Sequence, residues 1–141
     1  MYKRQADARG LLKAAIRDDN PVVFIEHETL YGRRGEVPED QEPMRFGEAA
    51  VRREGADVTI VGISRMAETA LKAADTLAAE HELEAEVIDP RTLRPLDLDT
   101  ILESVEKTNR AVIVEEGWPH GGVGANPVSY THLTLPTTPY V

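Results

Sequence analysis

Residues 58–90 read VTIVGISRMAETALKAADTLAAEHELEAEVIDP, and this stretch decides the fold. VTIVGI (58–63) is a continuous apolar, β-branched run, the pattern of a strand covered on both faces. From about residue 65 to 81 the period changes. Ala67, Ala70, Leu71, Ala74, Leu77 and Ala78 fall along one helical stripe, and the alanines imply a close approach to the neighbouring layer. Ser64 is in position to cap this helix, with Glu68 favourable in its first turn. EAEVID (84–89) returns to strand. Strand, helix and strand in this order make a parallel unit with a crossover helix.

Working outward, the unit repeats. The turn-rich PRTLRPL is followed by Asp97, a cap for a helix over about 98–108 that turns Leu98, Ile101, Leu102 and Val105 inward. AVIVEE (111–116) is the next strand, and GWPHGGVGAN is a glycine-rich loop placed to open a further helix. The expected fold is therefore an α/β domain with a small parallel βαβαβ sheet, incomplete where the next helix should begin. GEAAVRREG (47–55) supplies a short strand before it. Residues 27–46, HETLYGRRGEVPEDQEPMRF, are dense in charge, glycine and proline, and read as a linker between two folding units or as a surface loop within one. Before the linker, residues 7–17 read as a helix capped by Asp7, weakened by Gly10, and stopped by Asp18-Asp19-Asn20-Pro21. VVFIE (22–26) reads as a buried strand.

Composition bounds the function. With 141 residues, 16 basic and 25 acidic side chains, the formal net charge is −9. That balance argues against general nucleic-acid binding or a membrane surface, since phosphate attracts basic faces. There is no cysteine, which excludes disulfides, thiolate-ligated zinc and a catalytic thiol. No apolar run approaches the roughly 20 residues that span a bilayer, and MYKRQADARG carries no signal-peptide core, so a cytoplasmic location is expected. Every charged residue lies in the first 126 positions. PVSYTHLTLPTTPYV (127–141) has three prolines, four threonines and no charge, and reads as different material.

The candidate residues gather at the carboxyl ends of the strands, where open α/β sheets hold ligands. Gly122 and Gly124 give a G-x-G after a strand, but Pro127 stands where a dinucleotide loop needs its third glycine. Close packing of a loop against its neighbour is the better reading. Arg91 either binds an anion or, the better reading, pairs with a local carboxylate or caps carbonyls. Glu115 and Glu116 are adjacent, hence point to opposite faces, and one is suited to a salt bridge or a helix N-terminus. Trp118 is either a lid over the domain's own core or an interface anchor. His120 sits in the same loop, within reach of a ligand or partner. His27, His81 and His132 complete the histidines. No pair has metal-site spacing, and His81 suits a helix C-terminus.

AIRDDNPVVFIEHETLYG (15–32), GEAAVRREGADVTIVGISRM (47–66) and AEVIDPRTLRPLDLDTILESVEKTNRAVIVEEGWPHGGVGA (85–125) resemble the beta subunit of the thiamine-diphosphate-dependent component of 2-oxo acid dehydrogenase complexes. EEGWP with GVGA resembles the pyruvate branch most; the acetoin branch is close and the branched-chain branch reads differently. The resemblance implies that residues 1–26 end a pyrimidine-binding domain, 27–46 form the interdomain linker and 47–126 form a truncated transketolase C-terminal-like domain. It leaves 127–141 as a non-family tail, or alternatively a divergent edge strand. It also implies oxidative decarboxylation with acyl transfer to lipoyl-lysine, an α2β2 assembly with an alpha subunit, and a dihydrolipoyl acyltransferase core. Thiamine diphosphate with Mg would serve the parent enzyme. No residue here matches the family's cofactor-binding glutamate, and Glu26 is not to be taken for it. The segment present would serve assembly, with Arg91, Glu116, Trp118, His120, Gly122 and Gly124 as interface or ligand-edge candidates, and would be inactive alone. A stand-alone nucleotide-binding module is the contrasting expectation.

Overall fold

The structure is a computed structural model that describes residues 4–118 and 121–125. The expectations for His120, His132 and the tail 127–141 lie outside the described residues. The element order is α1 (Arg4–Arg17), β1 (Ala50–Arg53), β2 (Val58–Gly62), α2 (Met66–His81), β3 (Ala85–Asp89), α3 (Leu98–Thr108) and β4 (Ala111–Val114), with a 3-10 turn at Glu28–Leu30. The four strands form one sheet in the order β1-β3-β2-β4. β2 pairs in parallel with β3, Ile60 opposite Val87, and in parallel with β4, Ile60 opposite Val112. The expected βαβαβ core is therefore present. β1 adds an antiparallel edge along β3, with Val51 opposite Ile88 and a bulge between Val51 and Arg53. The sheet is mixed, a direction that the short run 47–55 does not encode.

Alternation along the strands builds two cores. Ile60 and Val87 face α2 and pack with Ala70, Ala74 and Ala85. Their chain neighbours Val61 and Ile88 face the other way and pack with Ile101 and Val105 of α3. The alanines of α2 let its backbone lie close to the sheet, as their stripe implies. Gly62 serves the same approach: a Cβ there would stand 2.5 Å from Cα of Ala67. On the α3 face a buried hydroxyl set lies beneath the apolar cluster. Thr59 Oγ1 bonds Ser104 Oγ at 2.7 Å and Thr108 Oγ1 at 2.8 Å, so each polar group interred there has a partner.

Three local expectations are corrected. α1 begins at Arg4, so Asp7 lies in its first turn, its carboxylate engaged elsewhere, and does not cap it. Ser64 does not cap α2: it takes φ +58, and Arg65 occupies the cap position without a side-chain hydrogen bond. Residues 22–26 form no strand; Val23 is 85% exposed and Ile25 76%. A strand needs a neighbour to satisfy its backbone, and among the described residues none lies alongside. Asp97 behaves as expected: its carboxylate accepts the Thr100 N–H at 3.2 Å and the Thr100 hydroxyl at 2.8 Å, and also the N–H of Ala49 at 2.8 Å. Burial works against the charged form of Asp97, but these donors outweigh it and hold its pKa below the usual carboxylate value.

Candidate functional site at the carboxyl edge of the sheet

β2, β3 and β4 end on the same side of the molecule, and the segments that follow them meet the 3-10 turn and α1 there. Glu116, just past β4, is held from two directions. Arg65 Nη2 donates to its Oε1 at 2.7 Å, and His27 Nε2 lies 2.9 Å from its Oε2. His27 also caps the 3-10 turn, its Nδ1 accepting the Thr29 N–H at 3.3 Å. In the neutral ring this assigns the hydrogen to Nε2, which donates to Glu116. Nearby, Arg33 donates to Glu68 of α2 at 3.0 Å. The segment 27–46 thus meets the carboxyl edge through charged side chains.

Glu115 points the other way, as strand alternation requires. A Cβ on Gly122 would run into the Glu115 carboxylate and stand 2.5 Å from the Trp118 carbonyl oxygen; one on Gly124 would stand 2.9 Å from Cγ2 of Ile113. Both glycines admit close packing of the loop onto β4. A carboxylate fills the concavity, so a diphosphate does not fit there: the space is taken and the charge is repulsive. Nor do the described residues include a group of three or more carboxylate or histidine side chains able to hold a metal ion.

Arg91, at the end of β3, is paired with a carboxylate, though not a local one: its Nη2 donates to Asp7 Oδ1 of α1 at 2.9 Å. Its own N–H donates to Asp89 Oδ1 at 3.1 Å, and its φ is +61. Arg52 of β1 donates to Asp7 and, at 3.1 Å, to Asp89. Burial alone would lower the Arg52 pKa, but the hydrogen bond with Asp7 and the charges of Asp89 and Asp7 prevail and raise it. Trp118 is 86% exposed and is no lid on the core of the described residues. His81 ends α2, as expected, and borders a shallow apolar groove of about 430 Å³ between α2 and β4, lined also by Val58, Leu77, Val112 and Val114.

The structure thus brings Glu116 together with His27 and Arg65, and Trp118 with Gly122. It sets Arg91 in a separate cluster with Asp7, Arg52 and Asp89. Of these partners, reading the sequence for motifs passes over Arg52 and Arg65, and meets Asp89 only as part of the strand end Asp89-Pro90-Arg91. Their spacings, 45 residues from Asp7 to Arg52 and 51 from Arg65 to Glu116, carry no local pattern. One signal was available: Asp7 is the lone acid among five basic side chains in residues 1–17.

Comparison with known proteins agrees with this architecture. The chain is 57% identical over 120 residues to the pyruvate dehydrogenase E1 component subunit beta of Rickettsia felis, covering 85% of this chain and 36% of that protein. The corresponding subunit of Bacillus subtilis is 50% identical, covering 87% and 38%. The acetoin:2,6-dichlorophenolindophenol oxidoreductase subunit beta of Cupriavidus necator is 52% identical, covering 85% and 35%. The chain spans about a third of the length of the curated relatives it matches. Among solved structures, a chain titled as a split-gene transketolase, an inactive beta4 tetramer, superposes with a TM-score of 0.63 at 34% identity, over 72% of this chain and 34% of that one. The model of the transketolase C-terminal domain matches residues 47–135, starting where the regular pattern begins and running past residue 126. The chain belongs to the transketolase C-terminal domain family.

Proposed function

We propose that the chain works within the beta subunit of a thiamine-diphosphate-dependent 2-oxo acid dehydrogenase that oxidatively decarboxylates pyruvate and passes the acyl group to lipoyl-lysine. The observation that carries this reading is the 57% identity to a pyruvate dehydrogenase E1 beta subunit over 85% of the chain. In this reading residues 1–26 close a pyrimidine-binding domain, 27–46 link it to the next, and the C-terminal domain begins at residue 47, its family match extending to residue 135. Thiamine diphosphate with Mg is held elsewhere in the assembled enzyme, since the glycine loop here is closed to a diphosphate. The residues present serve assembly with an alpha subunit in an α2β2 enzyme and with a dihydrolipoyl acyltransferase core, in the cytoplasm. Exposed Trp118 suits this role, because a large aromatic side chain left in solvent is a ready interface anchor.

The test is co-expression with a pyruvate dehydrogenase alpha subunit. The chain should co-purify with it, and Trp118→Ala should weaken that association at least tenfold, while pyruvate turnover by the pair stays at background. Failure to co-purify would remove the assembly role, and measurable turnover would place catalytic groups in this chain. The 52% identity to an acetoin oxidoreductase beta subunit supports a second reading, with acetoin as the substrate. Preferential association with an acetoin-type alpha subunit would favour it.

A further inference from the structure

Three segments distant in sequence meet at the end of β3, and a single carboxylate joins them. Asp7 comes from α1, Arg52 from β1, and Asp89 with Arg91 from the end of β3. One oxygen of Asp7 takes Arg52 Nη2 and the other takes Arg91 Nη2 at 2.9 Å, while Arg52 also reaches Asp89 at 3.1 Å. The side chains of Asp7, Arg52, Asp89 and Arg91 are 10, 11, 3 and 18% exposed, so water screens these charges little. We propose that this network is a clasp, with Asp7 as its pin, that fixes the N-terminal helix to the sheet.

Two further observations support it. First, α1 has little apolar contact to hold it: Ala6 and Leu11 are buried, but Leu12 and Ile16 are exposed. Second, α1 carries other chain with it. Arg9 donates to the carbonyls of Pro38 and Glu39, Lys13 to that of Gln41, and Gln41 in turn to that of Ala6. The Met44 N–H donates to the Gly10 carbonyl at 3.1 Å, and a side chain at Gly10 would collide with Met44. Helix α1 and residues 38–44 are therefore one unit, and the clasp is its buried attachment to the sheet. The left-handed backbone of Arg91 fits the same role, since a side-chain-bearing residue is held at φ +61 only where its surroundings require it. Removing one partner of a buried network leaves the others uncompensated, so the attachment should fail as a whole. This inference stands apart from the proposed enzymatic role.

Amide hydrogen exchange on the whole chain tests it. Asp7→Asn should speed exchange in α1 at least tenfold while β2, β3 and α2 keep their protection, and Leu11→Ala should release α1 less than Asp7→Asn does. Unchanged α1 protection in Asp7→Asn, or equal or greater release by Leu11→Ala, would overturn the clasp. Should Asp7→Asn lose protection everywhere, Arg91→Gln is the second probe, because it leaves Arg52 paired with both carboxylates. Selective release of α1 in that variant supports the proposal, and global loss or no release defeats it.

Discussion

Ile60, Val61, Val87 and Ile88 in the sheet leave almost no surface to water, whereas Val23 and Ile25 in the segment before it are largely exposed. The two regions differ in what holds them. Residues 50–114 are fixed by apolar burial on both faces of a sheet. Residues 4–46 are tied on by hydrogen bonds and ion pairs: Asp7 to two arginines, Arg33 to Glu68, His27 to Glu116. The difference has a physical consequence. Apolar burial is non-directional and scales with area, so it tolerates small shifts. Charged contacts are few, directional and sensitive to the loss of one member. A perturbation in the sheet should therefore fell both regions together, and a perturbation in the arm should fell the arm alone.

The largest expected effect tests the first half of that contrast. Ile88 is fully buried between β1 and β2 on the α3 face. Ile88→Ala removes three carbons from a site that the surrounding strands cannot close, and should cost about 3 kcal/mol. Urea unfolding followed by circular dichroism should show a single transition at a lower midpoint with an unchanged slope. A loss below about 1 kcal/mol would mean that the α3 face is loosely packed, and the contrast with the arm would collapse.

The same division explains what was legible beforehand. β2, α2, β3, α3 and β4 were all readable to within about a residue or two at their ends, because each buries a face and its period is written in the local run. Asp97 was readable for the same reason, since a cap and its target lie three residues apart. The arm was not. VVFIE has the composition of a strand, but composition does not supply a neighbour, and the segment lies exposed. Asp7 reads as a cap because its partners, Arg52 and Arg91, lie 45 and 84 residues away, beyond any local pattern. The direction of β1 was hidden as well: a four-residue strand reads alike in either orientation. At the carboxyl edge, Glu116 forms the salt bridge that its place at a strand end suggests. The identity of its partners, His27 and Arg65, depends on how the arm and α2 lie across the edge.

Asp97 sits at the seam between the two regions, capping α3 and receiving the N–H of Ala49 from the chain that leads into β1. Asp97→Ala should cost about 1–2 kcal/mol through the lost cap. The effect has a definite pH dependence. The folded-state pKa of Asp97 lies below its ordinary value of 3.8, so its charge contributes stability above that pH. That contribution fades as the pH falls through the lower, folded value. Urea midpoints of Asp97→Ala and the parent should be well separated at pH 7 and converge below about pH 3.8. A separation that widens on acidification would mean that the capping interaction does not depend on the ionised carboxylate. Glu86 titrates in the same direction: its burial raises its pKa, and Lys107, Ser104 and the Gly55 N–H more than offset that.

The smallest effect bears on the arm's outer contacts. Arg33 and Glu68 join the segment 27–46 to α2 at 3.0 Å, but the Arg33 side chain is more than half in water. An ion pair so placed gains little Coulomb energy and orders a long side chain, so Arg33→Ala should change global stability by no more than about 0.5 kcal/mol. The contrast between regions becomes sharper if this small value is confirmed alongside a large local response to Asp7→Asn. The two ion pairs would then differ through burial, not distance: Arg91 to Asp7 at 2.9 Å is buried, and Arg33 to Glu68 at 3.0 Å is half exposed. Raising NaCl from 0.05 to 1 M should erase even the small Arg33 effect, since a surface pair is screened once the Debye length falls to about 3 Å. A loss near 2 kcal/mol, or one indifferent to salt, would mean that residues 27–46 are seated on α2 as firmly as α1 is on the sheet. The arm would then be fastened along its length, with no distinction left between a pinned helix and a loosely held segment after it.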